Sequence, residues 1–225
     1  MDFSKKYIYN QGMKNISGKT IFAIIINLFI FVTEVVIVIT NLPHRGGSAL
    51  VYYTTLSNLM GMAAAFVFLW SAFSGFRALN KTRILLRFYA TCMLSFTLIV
   101  VFCVLIPMAI HAGIDPIFLL TEDTALLHHV INPVLSFISF IFLEKNMALK
   151  KAQPFIMLCL TLCYAFIMLF FNIIKWVDGP YPFFQVYQYP AWMIVIWFAV
   201  LFGVSYLINF LIYLFRSKEN TTEAS

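Results

Sequence analysis

Tyr52-Tyr53-Thr54-Thr55-Leu56-Ser57-Asn58 opens the run Ala49 to Phe73, which is almost wholly apolar after Asn58. A run of 25 residues at 1.5 Å rise each is enough to cross roughly 30 Å of bilayer hydrocarbon. The run therefore reads as a membrane helix, and its start is polar where hydrocarbon-compatible side chains are expected. On a helix, Thr54, Ser57, Asn58 and Gly61 fall at i, i+3, i+4 and i+7 and share one face. Thr55, Leu59, Met62 and Phe66 form another, almost entirely apolar. Thr54 stands at the outer end of the polar stripe, which serves either helix packing or chemistry.

Working outward, five more runs have spanning length: Thr20 to Asn41, Leu85 to His111, Thr124 to Leu143, Pro154 to Trp176 and Pro190 to Phe215. The chain has 225 residues, of which 62% are hydrophobic and 11% charged. A soluble domain could not cover that much apolar surface with so few charges. The expectation is an all-α polytopic membrane protein with six transmembrane helices in one bundle. A basic interfacial segment (1–19) precedes the membrane domain (20–215), and a polar, disordered cytoplasmic tail (216–225) follows it. The four cysteines all lie in apolar runs and read as packing residues.

Thirteen of the fifteen basic residues fall in the N-terminal segment, the second and fourth connections and the tail. The other loops hold only Arg45 and Lys175. Basic residues mark the cytoplasmic side, so both termini are expected inside a cell membrane. The net charge of +6 is spread between apolar runs and does not indicate a nucleic-acid partner.

Polar side chains are costly in a bilayer, and ionisable ones there point to function. Glu34 lies roughly 10 Å below the outer end of the first helix, Thr54 roughly 8 Å into the second, and His128 and His129 roughly 6–8 Å into the fourth. These helices thus bring reactive groups to one outer layer. Asn172 and Lys175 close the fifth helix at the same side. Thr20, Asn27, Glu34 and Asn41 recur every seven residues, which turns Glu34 into the bundle. His129, Asn132, Pro133 and Ser136 form a stripe at i, i+3, i+4 and i+7, which favours His129 over His128 as the inward histidine. Pro133 lacks an N–H for the carbonyl of residue 129, so the helix is expected to bend there. Adjacent histidines point about 100° apart and make a poor metal pair. Neither a metal nor a cofactor is expected. Trp176, Tyr181, Tyr187, Tyr189 and Trp192 read as an outer aromatic belt.

Three segments carry a resemblance to a known family: Tyr52–Asn58, Leu-Leu-His-His-Val-Ile-Asn-Pro-Val-Leu at 126–135, and Gly-Pro-Tyr-Pro-Phe-Phe at 179–184. They resemble the marker regions of the androgen-induced membrane protein family and its bacterial six-helix relatives. The resemblance implies a threonine hydrolase that cleaves fatty acid esters of hydroxy fatty acids with an intramembrane threonine and histidine. The threonine falls on Thr54. The pattern His-x3-Pro-Val-Leu puts the histidine on His129, whereas the animal pattern of two histidines three apart selects His128 or neither. This sequence lacks that second spaced histidine and carries Ser57 where the animal motif has an acid.

The resulting expectation is an intramembrane lipid-ester hydrolase acting on membrane lipids or lipid-like esters. Thr54 is its nucleophile and His129 its base. Glu34 orients the imidazole, or pairs structurally with Lys175 or His129. Asn58 or Asn132 positions the histidine or donates to the oxyanion. His128 and Ser57 stand as alternatives beside them. The loop with Asp178, Tyr181, Pro182 and Phe183 caps the site. The competing readings are a proton-coupled transporter or channel using Glu34 and His129, and a non-catalytic membrane adaptor.

Overall fold

A computed structural model describes residues 17–76, 80–144 and 149–222. The expected interfacial segment lies outside the described residues up to position 16, as do the last three residues of the tail. The described chain is all-helical. Its long helices are α1 (Gly18–Arg45), α2 (Tyr53–Phe73), α3 (Asn80–His111), α4 (Leu127–Leu143), α5 (Gln153–Ile173) and α6 (Ala191–Thr222).

Five of these, all but α4, are long and apolar enough to cross a membrane. The fourth apolar run, expected over Thr124 to Leu143, forms a helix of only 17 residues, Leu127–Leu143. It opens and closes with π turns, Leu127–Ile131 and Ser139–Leu143. Pro133 accounts for the first, because it offers no N–H to residue 129. The ladder resets there, and the N–H of Asn132 bonds the carbonyl of Leu127, five residues back.

The helices expose many large apolar side chains, and among an apolar core that includes Phe88 and Phe140 they bury a set of polar ones. On α1, Phe22, Phe29, Val32, Val36 and Ile39 face outward, while Thr20, Asn27 and Glu34 are buried. The seven-residue recurrence thus turned the right face inward. A lipid-exposed bundle needs its inward polar groups paired with one another. Asn27 Nδ2 accordingly donates to Ser139 Oγ of α4 at 3.0 Å, and Asn209 of α6 to the Pro154 carbonyl of α5 at 3.4 Å.

Helix α3 packs on α2, α4 and α6. It meets α2 closely at Gly61, where a Cβ would lie 3.1 Å from Leu94 Cδ1. It also starts five residues before the expected Leu85, and its early arginines are buried. Arg87 forms a salt bridge with Glu144 at the end of α4, with Nη2 2.7 Å from Oε1. Arg216 donates to the Glu144 carbonyl at 3.0 Å and lies over the Phe140 ring. These contacts anchor α6 beyond residue 215. The helix runs on to Thr222, where a disordered tail was expected.

Candidate functional site

At the other end of α4 the polar residues converge. Glu34 is 1% exposed. Its Oε1 accepts from Asn132 Nδ2 at 2.6 Å and lies 3.2 Å from His128 Nε2. The histidine contact is an ion-pair approach without hydrogen-bond alignment, and His128 Nε2 has no aligned hydrogen-bond partner among the described residues. Asn132 Nδ2 also donates to Asn58 Oδ1 at 3.2 Å. Asn58 Nδ2 in turn donates to the carbonyls of Thr54, at 2.9 Å, and His128, at 3.2 Å. Asn58 therefore ties the first turn of α2 to the π turn of α4.

The expected role of Glu34 needs correcting on this geometry. It meets His128 and Asn132, and neither His129 nor Lys175. In an i→i+5 turn each residue rotates by less than 100°, so His128 and Asn132, four apart, come nearly into line. Regular helical spacing had aligned His129 with that stripe. Instead His129 Nδ1 lies 2.7 Å from the carbonyl of Leu119, in the short helical turn Phe118–Thr121 that precedes α4. A carbonyl only accepts, so Nδ1 carries the proton and Nε2 is left as a base. Lys175 sits over the Tyr187 ring, 4.8 Å from its centroid.

The amide roles change too. Both hydrogens of Asn132 Nδ2 are engaged, by Glu34 and Asn58, and both of Asn58 Nδ2 by the two carbonyls. Neither amide has a donor to spare for an oxyanion. The available donor comes from the cap loop. Tyr181 Oη lies 3.3 Å from the backbone nitrogen of Thr54 and 3.3 Å from its Oγ1. Tyr52, the N-cap of α2, gives no side-chain cap, so the phenol serves the helix start in its place. It accepts from the Thr54 N–H, and its own hydrogen can go to Oγ1. Burial pushes the phenol's pKa up, against the pull of its bonds to Thr54, so the group stays a neutral donor.

Tyr181 is thus a buried contact of Thr54 rather than part of an aromatic belt. The loop that carries it is pinned by Asn172, whose Oδ1 accepts from the Val186 N–H at 3.0 Å and whose Nδ2 donates to the Val177 carbonyl at 3.2 Å. Tyr181 stacks on Phe183 at 5.1 Å. Asp178, by contrast, is exposed and lines neither of the cavities that meet Thr54. Ser57 turns toward α3, where its Oγ bonds Thr97 Oγ1 at 3.0 Å, and so stands away from the histidines.

Thr54, His128, His129, Tyr181 and Pro182 line one cavity of about 860 Å³ between α2, α3, α4 and the cap loop. Among the described residues no three His, Cys, Asp or Glu side chains group as a metal site. The arrangement offers a hydroxyl under a phenol, an imidazole with one nitrogen anchored, and a carboxylate–imidazole pair beside them. No family model, no curated protein and no solved structure matches this chain.

Proposed function

We propose that this protein is an intramembrane hydrolase of lipid esters, with Thr54 as nucleophile and His129 as base. The observation that carries the reading is the shared cavity: a hydroxyl, two imidazoles and a neutral phenol line one space of about 860 Å³, a size that holds a small ligand. The resemblance of Tyr52–Asn58, 126–135 and 179–184 to the androgen-induced membrane protein family points the same way.

In this mechanism the Thr54 Oγ–H proton passes to His129 Nε2 as Oγ bonds the ester carbonyl carbon. Tyr181 O–H, turning from Thr54 Oγ1, donates to the oxyanion that forms. The intermediate collapses, the ester C–O bond breaks, and the alcohol leaves with the proton from His129. Water then attacks the acyl-threonine and gives its proton to His129; the acyl–Oγ bond breaks, His129 returns the proton to Thr54 Oγ, and the acid departs. The Glu34–His128 pair and the Asn58 bridge hold α1, α2 and α4 in register around these groups.

The proposed setting is a cell membrane, with α4 completing a six-helix bundle and both termini cytoplasmic, as the basic residues direct. A reporter fused after Asn146 that appeared outside the cell would reverse this orientation. The test of the chemistry is a fluorophosphonate probe on the purified protein. Labelling is expected on Thr54 and is expected to vanish in Thr54→Ala; labelling that survives the substitution removes Thr54 as nucleophile.

One observation favours a second reading. A buried carboxylate beside an imidazole, as at Glu34 and His128, also suits proton-coupled transport. Solute or ion flux in vesicles that Glu34→Gln abolishes, with no probe labelling, would place that reading first.

A further inference from the structure

A second cavity, of about 50 Å³, adjoins the first, and Thr54, Leu105 and Tyr181 line both. Its remaining wall is largely apolar, with Phe96, Val100, Ala165 and Leu201 among the residues. The two threonine hydroxyls that reach it are already engaged. Thr97 Oγ1 donates to the Met93 carbonyl at 3.1 Å and meets Ser57, while Thr161 Oγ1 donates to the Met157 carbonyl at 3.3 Å and meets Tyr53. A space of this kind offers water few partners and suits hydrocarbon.

Building on the hydrolase reading, we infer that this slot receives the acyl chain of the substrate and restricts the acyl group to about two to four carbons. The acyl carbon must bond Thr54 Oγ, so the chain attached to it starts at the residue shared by the two cavities. The large cavity, lined by His111, Glu122 and the two histidines, is left for the leaving alcohol and for water. The size argument is direct. An apolar cavity of about 150 Å³ accommodates benzene, with six carbons. At about 50 Å³ the slot holds roughly two carbons beyond the carbonyl. This departs from the long fatty acyl group that the family resemblance implies.

The test is the chain-length profile of kcat/KM for p-nitrophenyl acetate, butyrate, octanoate and palmitate. It uses the full-length protein in lipid nanodiscs, with the Thr54→Ala background subtracted. From acetate to butyrate kcat/KM is expected to rise about 4-fold per methylene, then to fall at least about 10-fold by octanoate as the slot is overfilled. Val100→Ala should move the optimum to a longer chain and Ala165→Leu to acetate. Size-exclusion elution and thermal unfolding of each variant give its folded fraction independently of the slot. A rate that climbs steadily to palmitate, or an optimum that neither variant moves, overturns the slot and leaves the hydrolase standing. No turnover of any ester, with Thr54 unlabelled, removes the hydrolase reading and this inference with it.

Discussion

Glu34 Oε1 lies 3.2 Å from His128 Nε2, while the next residue, His129, turns its Nδ1 to a backbone carbonyl. The two adjacent histidines therefore sit in different circuits, His128 beside the Glu34 carboxylate and His129 anchored on Leu119, the second being the base of the proposed hydrolase. Glu34→Ala would leave Asn132 without its buried acceptor and His128 without the carboxylate beside it, at an expected cost of about 2–4 kcal/mol. His129→Gln loses one hydrogen bond and should cost about 1 kcal/mol, yet abolish probe labelling of Thr54. Denaturation in detergent micelles together with labelling reads both. If His128→Gln stops labelling and His129→Gln does not, the two assignments must be exchanged.

Tyr181 reaches Thr54 across 127 residues of chain and touches both its nitrogen and its hydroxyl. Tyr181→Phe keeps the ring and its stack on Phe183 but removes the donor. Loss of one oxyanion donor costs about 10²–10³ in rate, whereas loss of the helix-start bond costs about 1 kcal/mol of stability. The expected result is labelling of Thr54 slowed at least about 100-fold in a protein that still folds. A normal labelling rate would confine Tyr181 to a structural part.

Much of the architecture was legible because it depends only on apolar length and helical period. Thr20, Asn27 and Glu34 turned inward together, as their spacing required. What periodicity could not supply was a change of period. The π turn before Pro133 altered which histidine faces Glu34, although the proline itself signalled that the ladder must break. The start of α3 was misplaced for a different reason. Arg87 counted among the basic residues of the second connection, and its partners on α4, Glu144 57 residues away and Ser136, explain its burial within a helix. Tyr181 was expected both in the cap loop and in an aromatic belt, and nothing local told a direct contact of Thr54 from either.

Gly179 shows how tightly the cap loop is built. A Cβ there would lie 2.6 Å from the Phe184 carbonyl carbon and 2.8 Å from its oxygen. These are backbone atoms and cannot swing aside. Gly179→Ala should therefore shift the loop, at about 1–3 kcal/mol by analogy with overpacking, and carry Tyr181 away from Thr54 so that labelling slows. Gly203→Ala in α6 is the control. No neighbour lies within 4 Å of its would-be Cβ, and alanine in a helix interior is expected to add about 0.5–1 kcal/mol. Equal behaviour of the two variants in thermal unfolding would contradict the close approach.

At the opposite end of α4, Arg87 Nε donates to Glu144 Oε1 at 2.8 Å, and Nη1 to Ser136 Oγ at 3.4 Å. Ser139 Oγ donates to the same carboxylate oxygen at 3.0 Å. A buried pair of this kind is expensive to break singly and cheap to replace whole, because each lone partner becomes an unpaired buried charge. Arg87→Met or Glu144→Leu alone should each cost about 3–5 kcal/mol, and the two together clearly less than the sum of the single costs. Arg87→Lys should fall between, since a point charge cannot serve both the carboxylate and Ser136 from one planar group. Sixteen residues of helix separate Glu144 from His128, roughly 24 Å. Labelling of Thr54 per folded molecule should therefore stay unchanged in all four variants. A double-mutant cycle with no coupling would show that Arg87 and Glu144 act independently, and a loss of labelling in molecules that remain folded would mean that this end of α4 communicates with the cavity.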